Sequence, residues 1–221
     1  LDNIAHQWRQ PLMEMSSLFI PIEAKIKLLN EVDSKEVLEA IENLNHITKY
    51  MSKTIDDFRN FFAKDKKQEK FKISDQLNLC LNILGLTLKK NNIHIDIIIK
   101  KNPILNGFKN EYAQVLINII SNAKDILIQR KVQNPRIKII IEEINENVHV
   151  TIEDNAGGIE NQIIEKIFEP FFTHSKTNGS GVGLFMSKLI IENNMGGRLD
   201  VVNTQIGAKF IINIPKVCRI N

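Results

Sequence analysis

The spacing of apolar residues divides the chain into two parts. Up to about residue 63, apolar residues recur at steps of three and four, which is the spacing of one face of an α-helix. They form one series within Ile4–Leu29 and a second within Leu38–Phe62. The mostly polar stretch Asn30–Ser34 predicts a turn between them, with Ser34 as the N-cap of the second helix. The first part is therefore predicted to be an antiparallel helical hairpin.

A lone hairpin of this kind cannot bury both of its apolar faces well. Two copies bury them together in a four-helix bundle, so the pattern predicts a homodimer. His6 lies about 200° around the first helix from the apolar residue Ile4, and its imidazole is expected to face solvent. Pro11 removes the helical hydrogen bond to residue 7 and predicts a bend one turn after His6.

The run Lys64–Lys70 carries mixed charges and no apolar residue, and we interpret it as a linker. Beyond it, β-branched segments alternate with helical patterns. Strands are predicted at 71–73, 93–99, 136–144, 148–153, 199–202 and 209–214, and helices at 75–90, 109–131, 160–167 and 181–195. Ser74 is the expected N-cap of the first of these helices. This order predicts the α+β class, with a mixed sheet covered by helices on one face. The expected domains are 1–63, the linker 64–70, and 71–221.

Composition changes this picture little. Charged residues make up 25% of the 221 residues and hydrophobic residues 43%, as in ordinary soluble proteins. The net charge of +3 and the lack of basic clusters interleaved with aromatics argue against nucleic-acid binding. Cys80 and Cys218 are predicted to be reduced thiols of a cytoplasmic protein. No run approaches the roughly 18 apolar residues of a membrane span, and the first residue is Leu1. A fragment of a longer protein is therefore expected, in which any sensor segment or membrane anchor would lie upstream.

A glycine-rich segment, Gly179–Leu184, directly precedes an apolar-periodic helix pattern. Alternate glycines before a helix leave backbone N–H groups uncovered, which suits a phosphate chain. The alternative is a flexible turn before a helix. The segment follows polar residues rather than a strand, and Leu184 stands where the third glycine of a dinucleotide-binding fingerprint belongs, so that fingerprint is disfavoured.

A polar stripe runs along the predicted helix 109–131. It contains Asn118 and Asn122, two residues with low helix propensity, in the middle of the helix. A solvated surface face is the ordinary explanation. The alternative is binding, because an amide oxygen is a hard, neutral ligand that suits Mg²⁺. Asp154 follows a predicted strand and opens a glycine-containing loop, where its carboxylate is able to accept a hydrogen bond from the amino group of adenine.

Four C-terminal stretches follow one another in a characteristic order: Asn118–Ala123, Asp154–Ile159, Phe168–Thr173 and Gly179–Leu184. In order and spacing they resemble the nucleotide-binding boxes of sensor histidine kinases. Ala5–Leu12 resembles the phosphoacceptor box of the same family. The resemblance covers nearly the whole chain. It implies the fold shared by these kinases, gyrase, mismatch-repair ATPases and the ninety-kilodalton heat-shock chaperones.

The resemblance also implies roles for single residues. His6 is the phosphorylated residue, Asn122 the Mg²⁺ ligand and Asp154 the residue that selects adenine. Asn118 stands where hydrolytic relatives carry a glutamate that activates water, which favours phosphoryl transfer to protein over ATP hydrolysis. The remaining residues implied to contact ATP are Gly158, Lys176, Gly179, Gly181, Gly183 and Leu184. The implied partners are a second copy through the hairpin and a response-regulator protein that receives the phosphoryl group on an aspartate.

The chain departs from the family pattern at several positions. Gln7 replaces the usual acidic residue after the histidine, and we hypothesise that Asp2, one helical turn before His6, partly fills that role. Asp125 and Ser175 stand where related kinases often have a lysine. These departures leave one alternative function: a degenerate module that binds ATP or scaffolds a regulator without transferring phosphate.

Overall fold

The structure is a computed structural model that describes residues 2–29, 33–61, 67–173 and 181–216. The chain divides into two compact units, Leu1–Ala63 and Lys64–Asn221. Among the described residues, no helix combines the length and the hydropathy that crossing a membrane requires.

The first unit contains two helices, α1 (Asp2–Leu29) and α2 (Ser34–Phe61), which contact each other. The helix α1 continues through Pro11. The N-cap of α2 was predicted one residue too late. The carboxylate of Asp33, not Ser34, accepts a hydrogen bond from the backbone N–H of Lys35 at 2.9 Å.

The second unit is built on a five-stranded mixed sheet in the order β2-β4-β5-β7-β6. Its strands are β2 (His94–Ile99), β4 (Arg136–Ile144), β5 (Asn147–Asp154), β6 (Arg198–Asn203) and β7 (Ala208–Pro215). β2 runs parallel to β4, and the other neighbours are antiparallel. A separate antiparallel pair joins β1 (Glu69–Lys72) to β3 (Ile104–Gly107). The predicted mixed sheet is therefore confirmed, whereas β3 was missed.

Three helices, α3 (Ile73–Lys90), α4 (Lys109–Gln129) and α5 (Gly183–Leu189), pack with this sheet. Alternate residues along the strands are buried, including Ile137, Ile139 and Ile141 of β4, each 0% exposed. The α+β architecture predicted from the sequence is confirmed. The helix α4 supplies the largest buried stripe of the three, namely Tyr112, Ala113, Val115, Leu116, Ile119, Ile120, Ala123 and Leu127.

Three local predictions were wrong. Ser74 does not cap α3; Asn102 does, because its Oδ1 accepts from the Ser74 N–H at 3.3 Å and its Nδ2 donates to the Ser74 hydroxyl at 2.8 Å. The predicted helix at 160–167 consists of turns that end in a short 3-10 turn, Lys166–Phe168. The predicted helix at 181–195 is α-helical only in α5 and continues as a π-helical turn, Ile190–Asn194.

Candidate nucleotide-binding site

The middle of α4 is tied to the start of α5 by one amide side chain. Asn118 Nδ2 donates to the carbonyl oxygen of Gly183 at 3.1 Å and to the hydroxyl oxygen of Ser187 at 3.2 Å. Its Oδ1 accepts from Gln114 at 3.2 Å. Asn118 therefore sets the position of the glycine-containing turn that begins α5, a role its place in a polar stripe did not reveal.

Asn122 lies one turn further along α4 and is exposed. Within the described residues its amide makes no hydrogen bond, so its oxygen is available to a ligand. Mg²⁺ bound together with a nucleotide takes few protein ligands and keeps several waters. A single accessible amide oxygen fits such an ion.

Gly181 contacts the backbone of Phe171. The Phe171 N–H donates to the Gly181 carbonyl oxygen at 2.8 Å, and both residues have positive φ, 65° and 62°. A Cβ atom on Gly181 would lie 2.3 Å from the carbonyl carbon of Phe171, so only glycine fits there. This contact fixes the two ends of the segment that joins Phe171 to Gly181.

Asp154, the last residue of β5, is 4% exposed. Its Oδ1 accepts from the backbone N–H groups of Ala156 at 2.8 Å and Ala208 at 3.3 Å. No hydrogen bond from a described residue reaches Oδ2. Burial raises the pKa of this carboxyl, and the two backbone hydrogen bonds oppose the shift. The site therefore offers a desolvated acceptor to a hydrogen-bond donor of a ligand.

Gly207 lies directly against Asp154 and was not identified from the sequence. A Cβ atom at this position would lie 1.9 Å from the Asp154 carbonyl oxygen. The residue therefore has to be glycine for the loop between β6 and β7 to reach Asp154. In the sequence, Gly207 is an ordinary turn residue of a predicted hairpin. Its contact with Asp154 therefore could not be predicted.

The loop after Asp154 is braced by two asparagines that were also missed. Asn203 accepts from the Ile159 N–H at 2.8 Å and donates to the Ile159 carbonyl oxygen at 2.6 Å. Asn155 accepts from the Arg136 N–H at 2.8 Å and donates to the Asn134 carbonyl oxygen at 3.1 Å. The position of the loop is thus set by neighbouring strands as well as by its own turn.

Of the three residues that follow Asn155, two require glycine and Ala156 does not. Gly157 and Gly158 have φ values of 88° and 78°, a region that favours glycine, whereas Ala156 has no positive φ. Alanine is accordingly accommodated at residue 156. Gly158 also lacks room for a side chain, because a Cβ atom there would lie 2.7 Å from Asn203 Oδ1.

The other predicted site residues divide into two groups. Gly183 and Leu184 lie half-buried at the start of α5, where Gly183 contacts Asn118. His6 and Gln7 lie in α1, and their side chains fall outside the described part of the structure. Lys176 and Gly179 also lie outside the described residues. The predictions for these four residues stay predictions.

The arrangement therefore places a buried carboxylate, a free amide oxygen and a glycine turn around one helix, α4. Residues 108–217 match the family model of the histidine kinase-, DNA gyrase B-, and HSP90-like ATPases. The catalytic domain of the histidine kinase ThkA is 30% identical, with a TM-score of 0.61 over 68% of this chain and 99% of that domain. The chain belongs to the sensor histidine kinases of two-component systems.

Two further matches extend over nearly all of this histidine kinase. The two-component sensor PprA of Pseudomonas aeruginosa is 26% identical over 97% of the chain. ThkA in complex with the response regulator TrrA has a TM-score of 0.68 and covers 97% of the chain at 24% identity, which is a likeness of fold. The chain spans 24% of the length of PprA and 60% of the matched ThkA chain.

Proposed function

We propose that this chain binds ATP with Mg²⁺, transfers the γ-phosphoryl group to His6, and passes it on to an aspartate of a response regulator. In this proposal residues 1–63 are the dimerisation and phosphotransfer hairpin, 64–70 the linker, whose last two residues already lie in β1, and 71–221 the ATP-binding domain. The observation that carries the proposal is the buried Asp154 carboxylate, whose Oδ2 has no hydrogen bond from a described residue.

The Asp154 carboxylate suits adenine. Adenine carries an exocyclic amino group that donates hydrogen bonds, whereas guanine has a carbonyl oxygen at the corresponding position. An ionised carboxylate accepts only, so Oδ2 attracts the first group and repels the second. Burial strengthens this discrimination, because a misplaced acceptor in a desolvated site leaves both groups unpaired.

Asn122 would hold Mg²⁺ once a triphosphate is bound. The ion supplies positive charge that offsets the charge of the phosphates during transfer. Asn118 has no proton-accepting group, and its amide is bonded to α5. Its proposed role in the reaction is to hold the start of α5 in place rather than to activate water.

His6 is the proposed acceptor. A neutral ring nitrogen attacks the γ-phosphorus in line, and an N–P bond forms as the bond to the oxygen bridging to ADP breaks. The electron pair of that bond leaves with ADP. A later attack by a carboxylate oxygen of the regulator breaks the N–P bond and restores the imidazole. The ThkA chain that resembles this one was solved in complex with its response regulator, which supports such a partner.

The hairpin supports the proposed homodimer. Several large apolar side chains of α1 and α2 are exposed in the single chain, including Leu28 at 82%, Met13 at 64% and Leu38 at 61%. Pairing with a second hairpin removes such surface from water, which is the main driving force for association of helical bundles.

One observation favours a second candidate, a nucleotide-binding module without transfer. Asp125, where related kinases often carry a lysine, forms an ion pair with Lys124 at 2.9 Å. The carboxylate adds negative charge to the same helix as the proposed Mg²⁺ ligand. This candidate predicts ATP binding without phosphate incorporation.

Incubation with γ-labelled ATP and Mg²⁺ separates the two candidates. The parent chain and a His94→Gln control are expected to incorporate label that is lost in acid and kept in base. His6→Gln is expected to incorporate none. ATP binding without any label in the parent chain would favour the module, and label that persists in His6→Gln would remove His6 as the acceptor.

A further inference from the structure

We propose that Arg130 is a positioning residue for nucleotide recognition, which clamps the turn after Asp154 in the conformation that presents the carboxylate to the base. This inference rests on the proposed ATP-binding function. Arg130 directly follows the last residue of α4, and its side chain reaches the turn that follows β5.

The contact is made by one guanidinium nitrogen. Arg130 Nη1 donates to the carbonyl oxygen of Ala156 at 2.5 Å and to that of Gly158 at 2.9 Å. The two carbonyls lie on either side of Gly157, whose Cβ position is 3.4 Å from the same nitrogen. Charge-assisted hydrogen bonds of this kind are stronger than neutral ones.

The turn needs such a clamp because of its composition. Gly157 and Gly158 are consecutive residues with positive φ, and glycine has more backbone freedom to lose than any other residue. Two carbonyl oxygens that converge on one cation select one conformation of both peptide groups. Without the guanidinium these carbonyls would repel each other.

The turn and the carboxylate are directly coupled. The N–H of Ala156 donates to Asp154 Oδ1, while the carbonyl of the same residue accepts from Arg130. A change in the Ala156–Gly157 conformation therefore also alters one of the two hydrogen bonds that hold Asp154 Oδ1. The positive charge of Arg130 acts in the same direction, because it lowers the pKa of Asp154 and partly offsets the effect of burial.

The side chain is not needed to end the helix. The backbone N–H of Arg130 donates to the carbonyl oxygen of Ile126 at 2.9 Å, and that of Lys131 donates to Ile128 at 3.1 Å, whatever side chain residue 130 carries. Arg130 is exposed as a whole, so its removal leaves no cavity in the core. If Arg130 served folding alone, its substitution would lower the stability slightly and would leave the preference for adenine over guanine unchanged.

The test uses the full chain and compares ATP affinity by calorimetry in the parent, Arg130→Gln, Arg130→Lys and the charge-matched control Arg198→Gln. Arg198 pairs with the half-buried Asp200 on β6, and no hydrogen bond or ion pair joins it to the turn. We expect about ten-fold weaker ATP binding in Arg130→Gln, a smaller loss in Arg130→Lys, and none in the control. The ratio of ATP to GTP affinity is expected to fall with the loss of ATP binding.

Hydrogen exchange at the Gly157 and Gly158 amides, measured without nucleotide, gives an independent result. Faster exchange in Arg130→Gln than in the control supports the clamp. Unchanged exchange together with parent-like ATP affinity would overturn the inference, and so would an equal loss of affinity in Arg198→Gln. A parent chain that binds no ATP would overturn the proposed function instead, and the exchange rates would then decide whether Arg130 holds the turn.

Discussion

The two sides of the candidate site are held in different ways. The adenine side, defined as Asp154–Ile159 with Asn203–Ala208, has many fixed contacts. Its turn is bonded to Arg130 and Asn203, and Gly207 lies against the Asp154 backbone. The proposed phosphate side, defined as residues 181–184 with Asn118 and Asn122, shows fewer such contacts among the residues that the structure describes. One backbone hydrogen bond joins Gly181 to Phe171, and one amide joins α5 to α4.

This difference fits the two tasks proposed for the site, which are recognition of the base and binding and release of the phosphates. A recognition pocket for a rigid, planar base benefits from preorganisation, since affinity is not spent on ordering the protein. Phosphates must be released as well as bound, and the elements that move in such cycles are held by fewer contacts. The comparison predicts that substitutions at the closely packed glycine of the adenine side, Gly207, disrupt folding, whereas those on the phosphate side weaken nucleotide binding with little effect on folding.

The largest expected effect is that of Gly207→Ala. The new methyl group would lie 1.9 Å from the Asp154 carbonyl oxygen, and backbone cannot give way as a flexible side chain does. We expect the free energy of unfolding to fall by about 3 kcal/mol or more, measured by urea denaturation.

Gly85→Ala is the matched control for this substitution. A Cβ atom at Gly85 has nothing within 4 Å, and Gly85 lies inside α3. Alanine is expected to stabilise the chain there by about 0.5–1 kcal/mol, because glycine costs a helix more backbone entropy. Equal stabilities of the two variants would contradict the close packing assigned to the adenine side.

On the phosphate side, Asn118→Ala is expected to have an intermediate effect. It removes the bonds to Gly183 and Ser187, but the Ser187 hydroxyl still donates to the Gly183 carbonyl oxygen at 2.8 Å. The expected loss of about 1 kcal/mol corresponds to roughly five-fold weaker ATP binding, measured by calorimetry.

Asn110→Ala, an exposed asparagine on the same helix, is the control for Asn118→Ala. It should leave the ATP affinity unchanged. If Asn118→Ala lowers stability as much as Gly207→Ala does, the proposed difference between the two sides is wrong.

The smallest expected effect is a pH dependence due to Asp154. Its folded-state pKa is raised, so the folded state binds the proton more tightly than the unfolded state. The stability contributed by this group is present at low pH and is lost as the pH rises through the raised pKa. Asp154→Asn should therefore be more stable than the parent at neutral pH, and the difference should shrink on acidification. Thermal unfolding of both proteins between pH 4 and 8 measures it, and a difference that grows in acid would contradict the assigned shift.

Much of the fold was predictable because its signals are local. The strand β4 was predicted with its observed ends, since Arg136–Ile144 is rich in β-branched residues and ends at the turn residues Asn145 and Glu146. The strand β3 was missed because its sequence, Ile-Leu-Asn-Gly, ends in a dipeptide that is typical of turns. The segment 160–167 has a helical spacing of apolar residues, but its neighbours Ile159 and Phe171 are held by Asn203 and Gly181, and these tertiary contacts decide its path.

The distinction between local signals and tertiary contacts also applies to the candidate site. Asp154 and Asn122 could be predicted as site residues because each belongs to a short motif on a recognisable element, and their roles stay predictions. Arg130, Asn203 and Gly207 were not, because each acts on a backbone group distant in sequence. Such contacts depend on how α4 and the β6–β7 loop meet the end of β5, which no local pattern encodes.

Calorimetric titration of ATP into the parent chain and into Asp154→Asn tests the central claim most directly. The asparagine keeps an oxygen for the Ala156 and Ala208 N–H groups but presents an N–H donor to the amino group of adenine. We expect about ten-fold weaker ATP binding or more in Asp154→Asn, whereas the control Asp200→Asn should bind ATP as the parent does. Parent-like ATP affinity in Asp154→Asn would contradict the assignment of this pocket to adenine.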